Sequence, residues 1–158
     1  MPDRLRVAVV IPARDEAPSV GGVVAGLLAQ PVPLDRVVVV DNGSRDATAE
    51  VARAAGATVV AEPRPGYGRA CLAGIAHVAL DPPDVLVFAD ADASDDPADL
   101  AALVAPLAAD TADLVIGSRA LGQRIGRVEP GALLPQARWG NALACALIRA
   151  RWGARFPD

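Results

Sequence analysis

A doubly wound α/β fold, a Rossmann-like and mostly parallel sheet with helices on both faces, is predicted for this 158-residue chain by three observations. Short apolar runs of strand length alternate regularly with stretches of helical periodicity. Those runs are apolar on both faces, as in parallel strands covered by helices on either side. Hydrophobic residues make up 53% of the chain but aromatics only 3%, so the core is built from Ala, Val and Leu in thin layers, which suits helices packed closely on a sheet.

Five runs read as buried strands: Val7 to Ile11, Val37 to Val40, Thr58 to Ala61, Val85 to Ala89 and Leu114 to Ile116. Between the first two, Val20, Val23, Val24, Leu27 and Leu28 follow the i, i+3, i+4, i+7, i+8 spacing of an amphipathic helix. Gly21, Gly22 and Gly26 weaken that helix in isolation, so tertiary packing must hold it. The second helix is predicted from about Asp46 to Ala55, with Ser44 or Asp46 as N-cap and Gly56 in the left-handed position after it. A third follows the Gly66 to Gly68 loop. The fourth starts at Asp96 with Pro97 in its first position; its stripe is Leu100, Leu103, Val104 and Leu107, and Pro106 is expected to bend or end it. A last helix covers Gln136 to Trp152, after a linker-like piece from Gly117 to Pro135. The order β-α-β-α-β-α-β-α-β leaves crossovers long enough for right-handed parallel connections.

One domain over 1–158 fits this length, with 119–158 as a basic C-terminal segment. All 15 basic residues are arginines. Seven of them lie from Arg119 onward against only Glu129 and Asp158, a surplus of five positive charges; eight arginines face seventeen carboxylates before that, a surplus of nine negative ones. Nucleic-acid binding would put the positive charge over the main fold, and this chain does the reverse. Cys71 and Cys145 have apolar neighbours and no metal-ligand spacing, so they read as reduced core thiols. The N-terminus lacks a signal-peptide pattern and no window reaches the ~18 apolar residues of a membrane span. A cytoplasmic protein is expected.

Three of the strands end in polar clusters, and strand carboxyl ends are where open α/β sheets bind ligands. They are Pro12-Ala13-Arg14-Asp15-Glu16, Asp41-Asn42-Gly43-Ser44-Arg45-Asp46, and Asp90-Ala91-Asp92 followed by Ser94, Asp95 and Asp96. So many acids at one edge call for a cation, and hard oxygen ligands suit Mg²⁺ or Mn²⁺ with positions left for substrate phosphates. If the strand continues through Asp90-Ala91-Asp92, both carboxylates share a side; if it breaks into a turn they diverge, one to a metal and one to a sugar hydroxyl. Asp95 and Asp96 read as caps of the next helix. Two other chemistries compete with this reading. Gly66-x-Gly68-x-x-Cys71 opens a helix as in dinucleotide-binding domains, but has Cys where Gly or Ala is wanted and follows the third strand, not the first. A phosphotransfer domain with Asp90 as nucleophile leaves the first two clusters unexplained.

Taken together, Val10 to Glu16, Val40 to Thr48, Pro65 to Ala70, Asp90-Ala91-Asp92 and Ile116-Gly117-Ser118-Arg119 resemble, in order and spacing, the family-2 glycosyltransferases of the GT-A fold. The likeness is greatest to the dolichyl-phosphate mannosyltransferase-like branch. It implies metal-dependent transfer of a sugar from a nucleotide-diphosphate donor to an acceptor, a polyprenyl phosphate in that branch. By position, Pro12, Ala13, Arg14, Glu16 and Asp41 match the nucleotide-recognition segments. Gly66 and Arg69 join them through a loop whose following helix N-terminus can face a phosphate. Asp90 and Asp92 match the Asp-x-Asp motif, Asp92 toward the metal, and Arg119 matches a Gly-Ser-Arg motif that helps hold phosphate, a task its bidentate guanidinium suits. Asp90, Asp92 and Arg119 are the expected catalytic set.

The chain departs from the family in two places. It has Asp15 where the family commonly has Asn, and Asn42 where it commonly has a second Asp. Relatives also continue past Phe156-Pro157-Asp158 into a Gly-Pro-Phe-Arg segment, so the chain reads as truncated, the alternative being a catalytically inactive nucleotide-binding fragment. His77, inside the third helix, reads as a packed or surface imidazole. Trp139 and Trp152 with their arginine neighbours suit either packing on the sheet or a helix lying on the inner face of the membrane. A homo-oligomer is a further partner left open.

Overall fold

The computed structural model describes residues 5–118 and 135–153. The chain divides into two compact units, Met1–Val115 and Ile116–Asp158. In the first, β1 (Val7–Ala13), α1 (Val20–Leu28), β2 (Leu34–Asp41), α2 (Thr48–Ala54), β3 (Thr58–Ala61), α3 (Tyr67–Val78) and β4 (Val85–Phe88) alternate, followed by a 3₁₀ turn (Pro97–Asp99) and α4 (Leu100–Ala108). The second contains α5 (Pro135–Trp152). The sheet is entirely parallel in the order β3-β2-β1-β4.

All seven residues of β1 are buried, because it is flanked by β2 and β4 in the sheet and by helices on both faces. Successive strand side chains point to opposite faces, and the core is split accordingly. Val7, Val9, Ile11, Val37 and Val39 pack with Val20, Val24 and Leu27 of α1, Ala52 of α2 and Leu100 and Val104 of α4. Ala8, Val10, Val38 and Val40 pack with Ala70 and Val78 of α3. Burying a Val or Ile side chain contributes about 1.5–3 kcal/mol, so this valine-rich sheet carries much of the fold without aromatic residues.

The helix glycines work by letting elements approach one another. A Cβ on Gly21 would lie 2.9 Å from Val51 Cγ1 of α2, and one on Gly26 would lie 2.9 Å from Pro97 Cγ. On the other face, a Cβ on Gly74 would stand 2.4 Å from Val10 Cγ1 and 3.2 Å from Val40 Cγ2, so α3 rests directly on the strands. Gly56 ends α2 with φ of 103°, a conformation glycine adopts without penalty. Asp96 caps the 3₁₀ turn as expected, its Oδ1 accepting the Ala98 N–H at 2.9 Å.

Several expectations need correction. Leu114 to Ile116 is not a strand; both Leu114 and Ile116 are exposed, and among the described residues no strand pairs with them. Three apolar residues form a strand only when a neighbour accepts their backbone hydrogen bonds. Pro106 does not end α4, which runs on to Ala108; the carbonyl of Pro106 accepts the Thr111 N–H at 3.0 Å. Leu28, placed on the buried stripe of α1, is 46% exposed. Cys71 and Cys145 are free but only half-buried, so neither is the core thiol expected.

At the amino edge of the sheet, Arg6 forms a two-pronged pair with Asp81 at 2.9 and 2.5 Å. Its backbone N–H donates to Asp84 at 2.7 Å, fastening β1 to the turn before β4. The opposite edge is thus left to the strand-end loops.

Candidate functional site

β1 connects to β2 on one side, whereas β4 pairs with β1 on the other after α3 crosses the opposite face. The winding reverses between β1 and β4, and such a switch point opens a crevice beyond the strand carboxyl ends. The register places Ala13, Asp41 and Ala61 abreast, so the loops after β1, β2 and β3 leave the sheet at one level.

Four hydrogen bonds stitch the first two loops together. The Asp15 N–H donates to Ser44 Oγ at 3.1 Å, and the Arg45 N–H donates back to Asp15 Oδ1 at 2.7 Å. The Glu16 N–H donates to Thr48 Oγ1 at 2.8 Å and the Ala17 N–H to Asp46 Oδ2 at 3.1 Å. Thr48 is fully buried and its hydroxyl donates to Asp46 Oδ1, which also takes the Thr48 N–H at 3.0 Å. The hydroxyl bond is the main cause holding the Asp46 carboxyl below its ordinary range. Asp15 has φ of 57°, a strained setting for a non-glycine residue that these reciprocal bonds offset. Asp41 closes its own turn, with Oδ1 accepting the Ser44 N–H at 3.0 Å.

The third loop is bound to the second by Asn42, which is 5% exposed. Its amide donates to the carbonyls of Glu62 and Arg64, both at 2.8 Å, and its Oδ1 accepts the Gly66 N–H at 2.8 Å. Gly66 leads into α3 with φ of 141°. Glu62 accepts from Arg64 Nε and Nη2, each at 2.9 Å, and these bonds hold its carboxyl down to about 2. Because the folded value lies below the ordinary one, this stabilisation is complete above about pH 4.5 and fades as pH falls toward 2. The difference in Tm between wild type and Glu62→Gln is expected to be widest at neutral pH and to close across that interval. A difference constant with pH would show that the ion pair is not its source.

After β4 the strand breaks into a bend, so Asp90 and Asp92 diverge. Ala91 between them is buried in the core and anchors the bend. Asp90 is half-buried; its N–H donates to Asp95 at 3.3 Å and its Oδ1 accepts from the Tyr67 hydroxyl at 3.4 Å. Asp92 is exposed, with Oδ1 accepting the Ser94 N–H at 2.9 Å. Among the described residues, no three His, Cys, Asp or Glu side chains converge to hold a metal. The donor set nevertheless fits a cation whose coordination is completed by substrate: Mg²⁺ typically takes one or two carboxylates, with phosphates and waters filling the rest.

Of the residues singled out in the sequence, Arg14, Glu16, Gly66, Arg69, Asp90 and Asp92 lie in loops or at the start of α3 at this carboxyl edge, and Asp41 is the last residue of β2. Pro12 and Ala13 are buried in β1 and support the loop from beneath; the Ala13 carbonyl accepts the Asn42 N–H at 2.9 Å. Arg119 lies outside the described residues. Sequence reasoning missed Thr48, Glu62, Arg64 and Tyr67. A hydroxyl residue two positions after Asp46, where the second helix begins, was the available signal for the first; the others depend on contacts 20 or more residues away.

The chain matches the model of Glycosyl transferase family 2 over residues 8–146. It is 49% identical over 113 residues to an uncharacterized glycosyltransferase of Mycobacterium tuberculosis, covering 72% of this chain and 48% of the relative. It is 39% identical over 92 residues to the 4,4'-diaponeurosporenoate glycosyltransferase of Staphylococcus aureus, covering 54% and 24% respectively. Among solved structures it resembles glucosyl-3-phosphoglycerate synthase from Mycobacterium tuberculosis in complex with Mn²⁺, UDP and glucosyl-3-phosphoglycerate, with a TM-score of 0.55 and 31% identity over 66% of this chain and 40% of that one. Mannosyl-3-phosphoglycerate synthase from Rubrobacter xylanophilus gives a TM-score of 0.57 and 30% identity over 65% and 36%. The chain thus spans about half the length of the mycobacterial relative. With the parallel sheet, its switch point and the acidic strand ends in place, this chain belongs to glycosyl transferase family 2.

Proposed function

We propose that the carboxyl edge binds a nucleotide-diphosphate sugar together with Mg²⁺ or Mn²⁺, and that the protein transfers the sugar to a phosphate-bearing acceptor. The observation that carries this reading is the joining of the first three strand-end loops into one hydrogen-bonded rim beside Asp90 and Asp92 at the switch point. In it, the Arg14 to Glu16 loop and Asp41 take the nucleoside, with Asp41 Oδ2 the oxygen its own turn does not use. Gly66 and Arg69, at the start of α3, face the diphosphate, where a helix N-terminus and a guanidinium both favour negative charge.

Breaking the bond between sugar and diphosphate develops negative charge on the leaving phosphate. A divalent cation held at Asp92 would supply positive charge against it, while Asp90, which diverges from Asp92, is left to the donor's sugar. The Tyr67 hydroxyl orients the Asp90 carboxylate, and Arg69 adds a fixed positive charge at the same edge. Where the acceptor's phosphate is itself the nucleophile, it is already ionised at neutral pH and needs no general base. That phosphate is assigned to Arg119 by resemblance. The related synthase crystallised with Mn²⁺, UDP-glucose and phosphoglyceric acid supports a divalent cation and an anionic acceptor. Calorimetric titration with UDP-glucose and GDP-mannose, with and without Mn²⁺, tests the reading. Metal-enhanced binding of one of them is expected, and binding of neither sinks it.

A lipid-borne acceptor is favoured by α5. Trp139, Leu143 and Leu147 are exposed along one stripe of this helix, and the exposed Arg149 and Arg151 flank it, the layout of a helix lying in a membrane interface. No helix among the described residues is long and apolar enough to cross a membrane. The chain is expected to float with anionic vesicles at low salt, and Leu143→Asp to remain at the bottom of the gradient. Equal sedimentation of both proteins would refute the contact.

A further inference from the structure

We infer that Asn42 is a positioning residue for donor binding, tying the nucleoside end of the site to its phosphate end. The inference rests on the donor-site reading above and adds a residue and a mechanism to it.

Asn42 follows Asp41 directly and is buried, and it satisfies three backbone groups of the β3–α3 loop at 2.8 Å each: two carbonyls and the Gly66 N–H. Two donors and one acceptor in a single planar group are available only to Asn and Gln, and the Asn reach is matched by the β2–β3 register, with the Glu62 N–H donating to the Asp41 carbonyl at 2.9 Å. Gly43 completes the seat. It lies beneath Pro63, whose carbonyl oxygen would be 3.3 Å from any Cβ there, at a φ of 74°. The loop from Glu62 to Gly66 is therefore laid down on Asn42 and Gly43, and it aims the first turn of α3.

Family members commonly carry Asp at this position, but here the Glu62 and Arg64 carbonyls both face it, so in this chain a negative charge would act against the geometry. The carboxylate of Asn42→Asp is isosteric, but it has no donor for the Glu62 and Arg64 carbonyls and sets charge against both oxygens. Buried polar groups left unpaired destabilise their surroundings. The cost falls on the loop, because the Asn42 backbone remains fixed by the Ala13 carbonyl. The Asp41 turn and the α3 start then lose their mutual spacing, and a ligand that must touch both is held less tightly.

The test is amide hydrogen exchange on the unliganded chain together with calorimetric titration of UDP and GDP in the presence of Mn²⁺. Asn42→Asp is expected to raise exchange over residues 62–68 about tenfold or more while leaving β1 unchanged, and to weaken nucleotide binding about tenfold or more. Asn42→Ser, which keeps one donor and one acceptor, should fall between it and wild type; it also serves if Asn42→Asp does not fold. Unchanged exchange in the loop, increased exchange throughout the sheet, or a loosened loop with undiminished nucleotide affinity would each overturn the inference. Failure of the wild type to bind UDP or GDP would instead remove the donor-site reading on which it rests.

Discussion

Asp92→Ala is expected to abolish the metal dependence of donor binding and to weaken affinity measured with Mn²⁺ by about 10²–10³-fold, judged from the loss of comparable charge interactions in other sites. The site has two carboxylates to offer on the β4 bend, and they are not equivalent. Asp90 is half-buried and engaged by Tyr67 and Asp95, whereas Asp92 stands on the exposed part of the bend. Asp92→Ala also removes the acceptor of the Ser94 N–H, so the Tm of each variant is measured alongside and binding is compared where all of them are folded. Asp92→Asn keeps the shape and the bond from the Ser94 N–H, so the same loss in this variant would assign the effect to charge. Binding that is equally tight with and without Mn²⁺ in all three proteins would show that Asp92 is not part of a cation site.

Gly74→Val is the stability counterpart, expected to lower the Tm by roughly 10 °C or more. For Gly74→Ala two effects compete. Helix propensity alone would stabilise α3 by about 1 kcal/mol. Against it, the new Cβ would be 2.4 Å from Val10 Cγ1, in a strand that is fully buried and paired on both sides. Overpacking of this kind typically costs about 1–3 kcal/mol, so packing wins and even alanine destabilises. Valine adds two methyl groups to the overlap and, being β-branched, forgoes most of the propensity gain. The check is a double-mutant cycle with Val10→Ala. Val10→Ala should recover part of the loss, because the clash is with that side chain; purely additive effects would place the strain elsewhere.

The secondary structure was legible wherever the pattern was long and one-sided. The Thr58 to Ala61 strand has its expected ends and β1 its expected start, whereas β2 begins at Leu34, three residues before the valine run that marks it, because Asp35 and Arg36 break the apolar pattern. The capping chemistry of Asp96 and Gly56 was also readable, since both act on their own neighbours. Leu114 to Ile116 failed for the opposite reason: a run of that length is a strand only if a partner exists, and partnership is not encoded within the run. Pro106 does not end α4 at its own position; the helix runs two residues further, to Ala108.

For the site, the chemical types were on view in the sequence, and so was their location at strand ends. Asp41, Asp90, Asp92 and the Arg14 to Glu16 loop announced themselves as polar clusters that terminate apolar strands. Asn42 did not. Beside Asp41 it looks like a second ligand with a charge missing, and only its bonds to Glu62, Arg64 and Gly66 reveal a bracket.

What the sequence by itself determined is therefore local: the two periodicities, the aliphatic core, the caps, and the presence of acid at several strand ends. Each follows from interactions within a few residues or from burial of an apolar face. Tertiary structure alone decided the order β3-β2-β1-β4, which makes the ends of β1 and β4 neighbours across a switch point. It also decided that Thr48 and Asn42 would tie separate loops into one rim. These depend on backbone groups brought together from 20 to 32 positions away, and hydrogen bonds at such separations are set by the packing of the sheet and not by the residues that make them.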